Sequence, residues 1–185
     1  MSLATTALAV SMASASAVSG VQCPVAFVHE RYAAVAESSA YEAVTYDTAA
    51  VPSGSAVTVL AHPVAGGGTR VVLRVHGVEA HRTFGAHAHT KACGARPADS
   101  GPHYQDVPDP VQPSTDPAYA NARNEVWLDL TTDARGNGRA EAVVDWRFRA
   151  QGARSVVVHE HATDTHEGHA GTAGARLACV NVPFA

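Results

Sequence analysis

From residue 43 onward, apolar and polar positions alternate in short runs with a period of two, and turn-forming residues separate the runs. That period belongs to half-buried β-strands, whose successive side chains point to opposite faces. It is clearest at 69–76, where Val71, Leu73 and Val75 share one face and Arg70, Val72, Arg74 and His76 the other. Comparable runs fall at 43–47, 55–61, 125–131, 139–148, 153–161 and 175–182, and the segment around His87 and His89 is a further strand candidate. Pro52-Ser53-Gly54, Gly66-Gly67-Gly68 and Asp133-Ala134-Arg135-Gly136-Asn137-Gly138 supply turns between them. The helical period is missing from these segments. The pattern predicts an all-β domain, an antiparallel β-sandwich or barrel.

Two long segments interrupt the strands. Residues 94–123 hold Pro97, Pro102, Pro108, Pro110, Pro113 and Pro117, so neither helix nor central strand persists there. A loop this long in a compact domain is either functional or disordered, and His103 within it favours function. Residues 163–174 form a second polar loop rich in His, Gly and Thr. Upstream, residues 1–20 are small and apolar and end in Ala13-Ser14-Ala15-Ser16-Ala17, the pattern of a signal peptide, although no Lys or Arg precedes the apolar run. Residues 21–42 are expected to be an N-terminal tether with a short helical turn near 32–37, and residues 43–185 the β domain.

Composition narrows the classes. A chain of 185 residues suffices for one domain with a sizeable core, and with only 6% aromatics Val and Ala must fill much of it. The formal net charge of -4 argues against a nucleic-acid binder. No apolar run reaches the roughly eighteen residues of a membrane span, so the signal-like segment points to a secreted or extracytoplasmic protein. Of the three cysteines, Cys93 and Cys179 are either a disulfide closing a long loop or two buried thiols, and a secretory route favours the disulfide. Cys23 is left over, free to pair between chains, stay reduced or carry a modification.

Eleven histidines are many for this length. His87 and His89 are spaced i, i+2, so on a strand both imidazoles point the same way. Two converging imidazoles suit copper, zinc, iron or nickel, the competing interpretation being two solvated side chains. His161, His166 and His169 are either a second metal site or a solvated loop.

Four motifs, taken in order, resemble the copper/zinc superoxide dismutase family. They are Gly85-Ala86-His87-Ala88-His89 before Cys93, Gly101-Pro102-His103-Tyr104, Val157-Val158-His159, and Gly174-Ala175-Arg176-Leu177-Ala178-Cys179. The resemblance implies a Greek-key antiparallel β-barrel, flattened like a sandwich, with long functional loops. It implies that His87, His89, His103 and His159 hold copper, and that His103 also acts as proton donor. Arg176 would draw in and orient superoxide, and Cys93 would pair with Cys179. The implied activity is copper-dependent disproportionation of superoxide to dioxygen and hydrogen peroxide. The alternative is a non-catalytic extracytoplasmic copper-binding or buffering protein of the same fold. A homodimer is one assembly left open. One departure stands out. The family holds zinc with the bridging histidine, two histidines of the following loop and an aspartate, yet no histidine lies between Tyr104 and Glu125 here. Copper without zinc is therefore expected. Glu125 would take over the orienting of His103, unless it is simply an exposed residue at a strand end.

Overall fold

In the computed structural model, which describes residues 26–184, the alternating runs pair into two facing sheets. In chain order the strands are β1 Ala26–Arg31, β2 Ala33–Ala34, β3 Ala43–Thr45, β4 Ala56–Pro63, β5 Thr69–His76, β6 Thr83–Phe84, β7 Ala86–His89, β8 Leu130–Thr131, β9 Gly138–Val144, β10 Ser155–His159 and β11 Arg176–Asn181. The first sheet runs β1-β4-β5-β9 and the second β2-β3-β11-β10-β7, while β6 and β8 form a small separate pair. All pairs are antiparallel except the short β2–β3 contact. The chain crosses from the first sheet at β5 to the second at β7, returns at β9 and crosses again at β10. These crossings between facing sheets give the Greek-key sandwich expected from the sequence.

Alternation decides what lies between the sheets. Val57, Val59, Ala61, Val71, Leu73 and Val75 of the first sheet meet Ala86, Ala88, Val156, Val158, Ala178 and Val180 of the second in one buried cluster. The side chains between them on the second sheet therefore face outward. Val44, Val157 and Cys179 form a separate small cluster there with Cys93. That outer face, roofed by the loops after β7 and β10, carries the histidines.

The tether expectation needs correction. Residues 26–31 are a strand, paired along their whole length with β4 from Ala26↔Ala61 to Arg31↔Ala56, and the following Tyr32 is buried in the core. The folded unit thus includes residues 26–42, ahead of the expected boundary at 43. The sequence hid this because Phe27 points outward and is exposed, while the inward positions are the small Ala26 and the partly buried Val28. The helical turn expected near 32–37 is a single 3-10 turn, Val35–Glu37. The strand expected at 125–131 is regular only at Leu130–Thr131, and its earlier part is held by isolated bridges, His87↔Trp127 and Gln105↔Glu125. The signal-like segment and Cys23 lie outside the described residues.

Cys93 and Cys179 form a disulfide with a Cα–Cα distance of 5.7 Å and a sequence separation of 86. It ties the loop after β7 to β11 on the same outer face, and the Cys93 N–H adds a 2.8 Å bond to Asn181 Oδ1. Closing so long a loop removes much of the unfolded chain's freedom, worth about 4 kcal/mol in the chain-entropy account. Replacing both cysteines by serine should lower the unfolding free energy in urea by about that amount. A change below about 1 kcal/mol would show that the bridge contributes little to stability.

Candidate metal centre

β7 places His87 and His89 on the outer face of the second sheet, and register brings His159 beside them. Val157 of β10 pairs with His87 and Ser155 with His89, so His159, two residues further on, emerges on that same face. His103 arrives from the long proline-rich loop, which returns to the strand through the His89↔His103 bridge. The four imidazoles each offer a nitrogen, and these nitrogens lie within 4.8 Å of one another. His87, His89 and His159 are buried and His103 is partly open. Among the described residues this is the group of three or more metal-ligating side chains that the fold assembles. His161 sits exposed 3.6 Å from Glu160 and His166 is bonded to Asp164, so these two and His169 do not converge into a second such group.

The remaining ring nitrogens show which ones face the centre. His89 Nδ1–H donates to the Gly101 carbonyl at 2.9 Å, and His103 Nδ1–H to Glu125 Oε2 at 2.9 Å. His159 Nδ1 lies 3.5 Å from the Gly174 carbonyl. All three thus turn Nε2 inward, with His89 Nε2 and His159 Nε2 only 3.2 Å apart. His87 is reversed. Its Nε2 is 2.7 Å from Thr163 Oγ1, while its buried Nδ1 has no partner. A buried nitrogen without a hydrogen bond, aimed among three other imidazole lone pairs, is what a cation's ligand set demands. Burial pushes His87 and His89 well below the usual histidine pKa, and the neighbouring imidazoles push the same way. Burial likewise lowers His159 to about 3, followed by His103 as the next cause. Neutral imidazoles are the metal-binding form, so the donor set fits a transition metal.

Arg176 reaches the same place through a bulge. Val158 pairs with Ala178 but His159 pairs with Arg176, leaving Leu177 as the extra residue. By strict alternation Arg176 would share the inward face of Ala178. The bulge sends Leu177 into the core and brings Arg176 out opposite His159. The Arg176 guanidinium donates to the Pro97 carbonyl at 3.0 Å and to Ser100 Oγ at 2.9 Å. With His103, His159 and Glu125 it lines an open cavity of about 370 Å³.

Glu125 is buried, not exposed at a strand end. Its carboxylate accepts from His103 Nδ1, from Gln105 Nε2 at 2.8 Å and from Trp127 Nε1 at 2.7 Å. Three donors compensate a desolvated carboxylate and hold it behind His103. Sequence reasoning singled out neither Gln105 and Trp127 nor Thr163 and Asp129, which back the site. One signal was available: Glu125, Trp127 and Asp129 alternate with the apolar Val126, Leu128 and Leu130.

Comparison with known proteins agrees with this geometry. The pattern of the family described as copper/zinc superoxide dismutase (SODC) matches residues 54–182, and the chain belongs to that family. No curated protein matches it. Among solved structures, the clock protein EA4 is similar with a TM-score of 0.57 at 19% identity, covering 90% of this chain and 98% of that one. A double mutant of a SOD-like protein from Bacillus subtilis gives 0.52 at 17% identity, covering 71% and 92% of the two chains. A single mutant of that protein gives 0.54 at 17% identity, over 71% and 91%. At such identities the structures speak for the fold alone.

Buried neutral histidines make the metal-free protein sensitive to acid. Their folded pKa values lie below the unfolded value, so below about pH 6.5 the unfolded state binds more protons and stability falls. For His159 that window runs from the unfolded value down to about 3. Unfolding of metal-free protein should lose up to about 1.4 kcal/mol per pH unit for each such histidine below pH 6.5. Flat stability between pH 7 and pH 5 would contradict the assignment of these rings as neutral.

Proposed function

We propose that the protein is an extracytoplasmic, copper-dependent superoxide dismutase that works without zinc. The observation that carries the proposal is the convergence of four imidazoles, three of them buried and held neutral, beside an arginine that lines an open cavity. His87 Nδ1 and the Nε2 atoms of His89, His103 and His159 would hold copper, which supplies the one-electron couple that superoxide disproportionation requires. The disulfide is consistent with an oxidising compartment, and no helix of the described residues is long and apolar enough to cross a membrane.

The chain's own residues divide the remaining work. Arg176 provides fixed positive charge at the cavity wall for a small anion, and such focusing raises on-rates by about 10–1000-fold. Its bonds to Pro97 and Ser100 keep the guanidinium in place without neutralising it. His103 is the partly exposed ligand, open to the same cavity. Its Nδ1–H is committed to Glu125, so Nε2 is the atom at which it can take up and hand on a proton. Glu125 holds the ring in the orientation that zinc provides in the family, which supports a centre needing no second metal. A copper-binding protein without turnover would use the same ligands, and a dismutation assay on copper-loaded protein separates the two. Rapid loss of superoxide supports the enzyme, and copper binding without rate enhancement supports the carrier.

Arg176→Ala should retain copper yet lower the dismutation rate by about tenfold or more, with a weaker dependence on ionic strength. An unchanged rate would remove the steering role. Elemental analysis after loading with both metals should find one copper per chain and little zinc. Zinc at one per chain that resists mild chelation would contradict the zinc-free assignment.

A further inference from the structure

We propose that Thr163 and Asp129 form a positioning relay that fixes the tautomer of His87 and thereby selects Nδ1 as its metal-binding nitrogen. The inference rests on the proposal that the four histidines hold a metal, and it concerns how one of them is prepared for that role.

A threonine hydroxyl has one proton to give, and a carboxylate only accepts. Thr163 Oγ1 lies 2.5 Å from Asp129 Oδ1 and 2.7 Å from His87 Nε2. The hydroxyl proton goes to Asp129, so the proton between Thr163 and His87 comes from the imidazole. His87 is therefore the Nε2–H tautomer, and its buried, partnerless Nδ1 carries the lone pair. The Thr163 backbone N–H also donates to Asp129 Oδ2 at 2.7 Å. Both oxygens of one carboxylate thus grip one residue and fix its side chain.

His87 needs this device because its ring is used backwards. His89, His103 and His159 each commit or incline Nδ1 to an outer acceptor and present Nε2. His87 leaves the strand two residues before His89 and presents the nearer nitrogen, so its acceptor must stand beyond the far end of the ring. The loop carrying Thr163 supplies it. Gly85 permits the approach, since a Cβ there would lie 2.6 Å from the His161 carbonyl oxygen and 3.3 Å from Thr163 Oγ1. Instead the Gly85 N–H bonds that carbonyl at 2.7 Å. Asp129 lies two and four residues beyond Trp127 and Glu125. One run of alternate residues therefore backs two of the four imidazoles, Glu125 behind His103 and Asp129, through Thr163, behind His87.

The test uses ¹⁵N-labelled full-length protein. Multiple-bond ¹⁵N–¹H correlation reads the His87 tautomer in the metal-free state, and chelator competition reads copper(II) affinity. Wild type should show Nε2–H at His87. Thr163→Val should lose that single tautomer and weaken copper binding by about 10–100-fold, Asp129→Asn should do so in part, and Thr163→Ser should restore both readouts. A wild-type His87 protonated at Nδ1 overturns the proposal. So does a folded Thr163→Val protein with an unchanged tautomer, or with affinity within about twofold of wild type. Should Thr163→Val fail to fold, the wild-type tautomer and the serine variant still decide. Neither readout involves turnover, so a protein that orders His87 in this way yet dismutates nothing contradicts the functional proposal and supports this one.

Discussion

Four imidazoles converge over the outer face of one sheet, three of them buried and kept neutral, and the rest of the structure is arranged around that constraint. Nitrogen lone pairs crowded within 4.8 Å of one another repel unless a cation lies between them. Protonation cannot relieve the crowding, because burial holds His87, His89 and His159 below the usual histidine range. The scaffold must therefore hold the rings in place from behind. It does so with a carbonyl each for His89 and His159, a carboxylate for His103 and a hydroxyl for His87.

These supports come from chain segments far apart in sequence, and the sandwich is what brings them together. β7 and β10 are neighbours in one sheet, so three ligands are fixed by strand register. The long loop carrying His103 is pinned at several points. The disulfide fastens its start to β11, Arg176 bonds the 3-10 turn at Pro97–Ser100, and Tyr104 packs into the core while its hydroxyl accepts the Arg149 N–H at 3.0 Å. Arg176 is thus structural and exposed to the cavity at once, and the bulge at Leu177 makes both possible.

Much of this was legible in the sequence. The i, i+2 spacing of His87 and His89 needs only a strand to become a convergent pair, and the alternating runs supplied the strand. His103, His159 and the cysteines are distant in sequence and drew meaning only from motifs in order. Strand parity alone would have misplaced Arg176, because alternation with Ala178 and Val180 points it into the core. β1 was missed since its few inward residues, Ala26 and Val28, make a weak stripe beside an exposed Phe27. Thr163 and Gln105 act through partners that only tertiary structure brings near, and for Trp127 and Asp129 alternation with Val126, Leu128 and Leu130 marked a shared face with Glu125 without showing what that face supports.

The central claim is that these four histidines, each through one particular nitrogen, make one metal site. A crystal structure of copper-loaded protein, with copper located by its anomalous scattering, tests it directly. The account predicts one strong site, at about 2 Å from His87 Nδ1 and from the Nε2 atoms of His89, His103 and His159 in the copper(II) state. Copper bound instead through His87 Nε2, or found on the exposed His161, His166 and His169 with the central cluster empty, would contradict it.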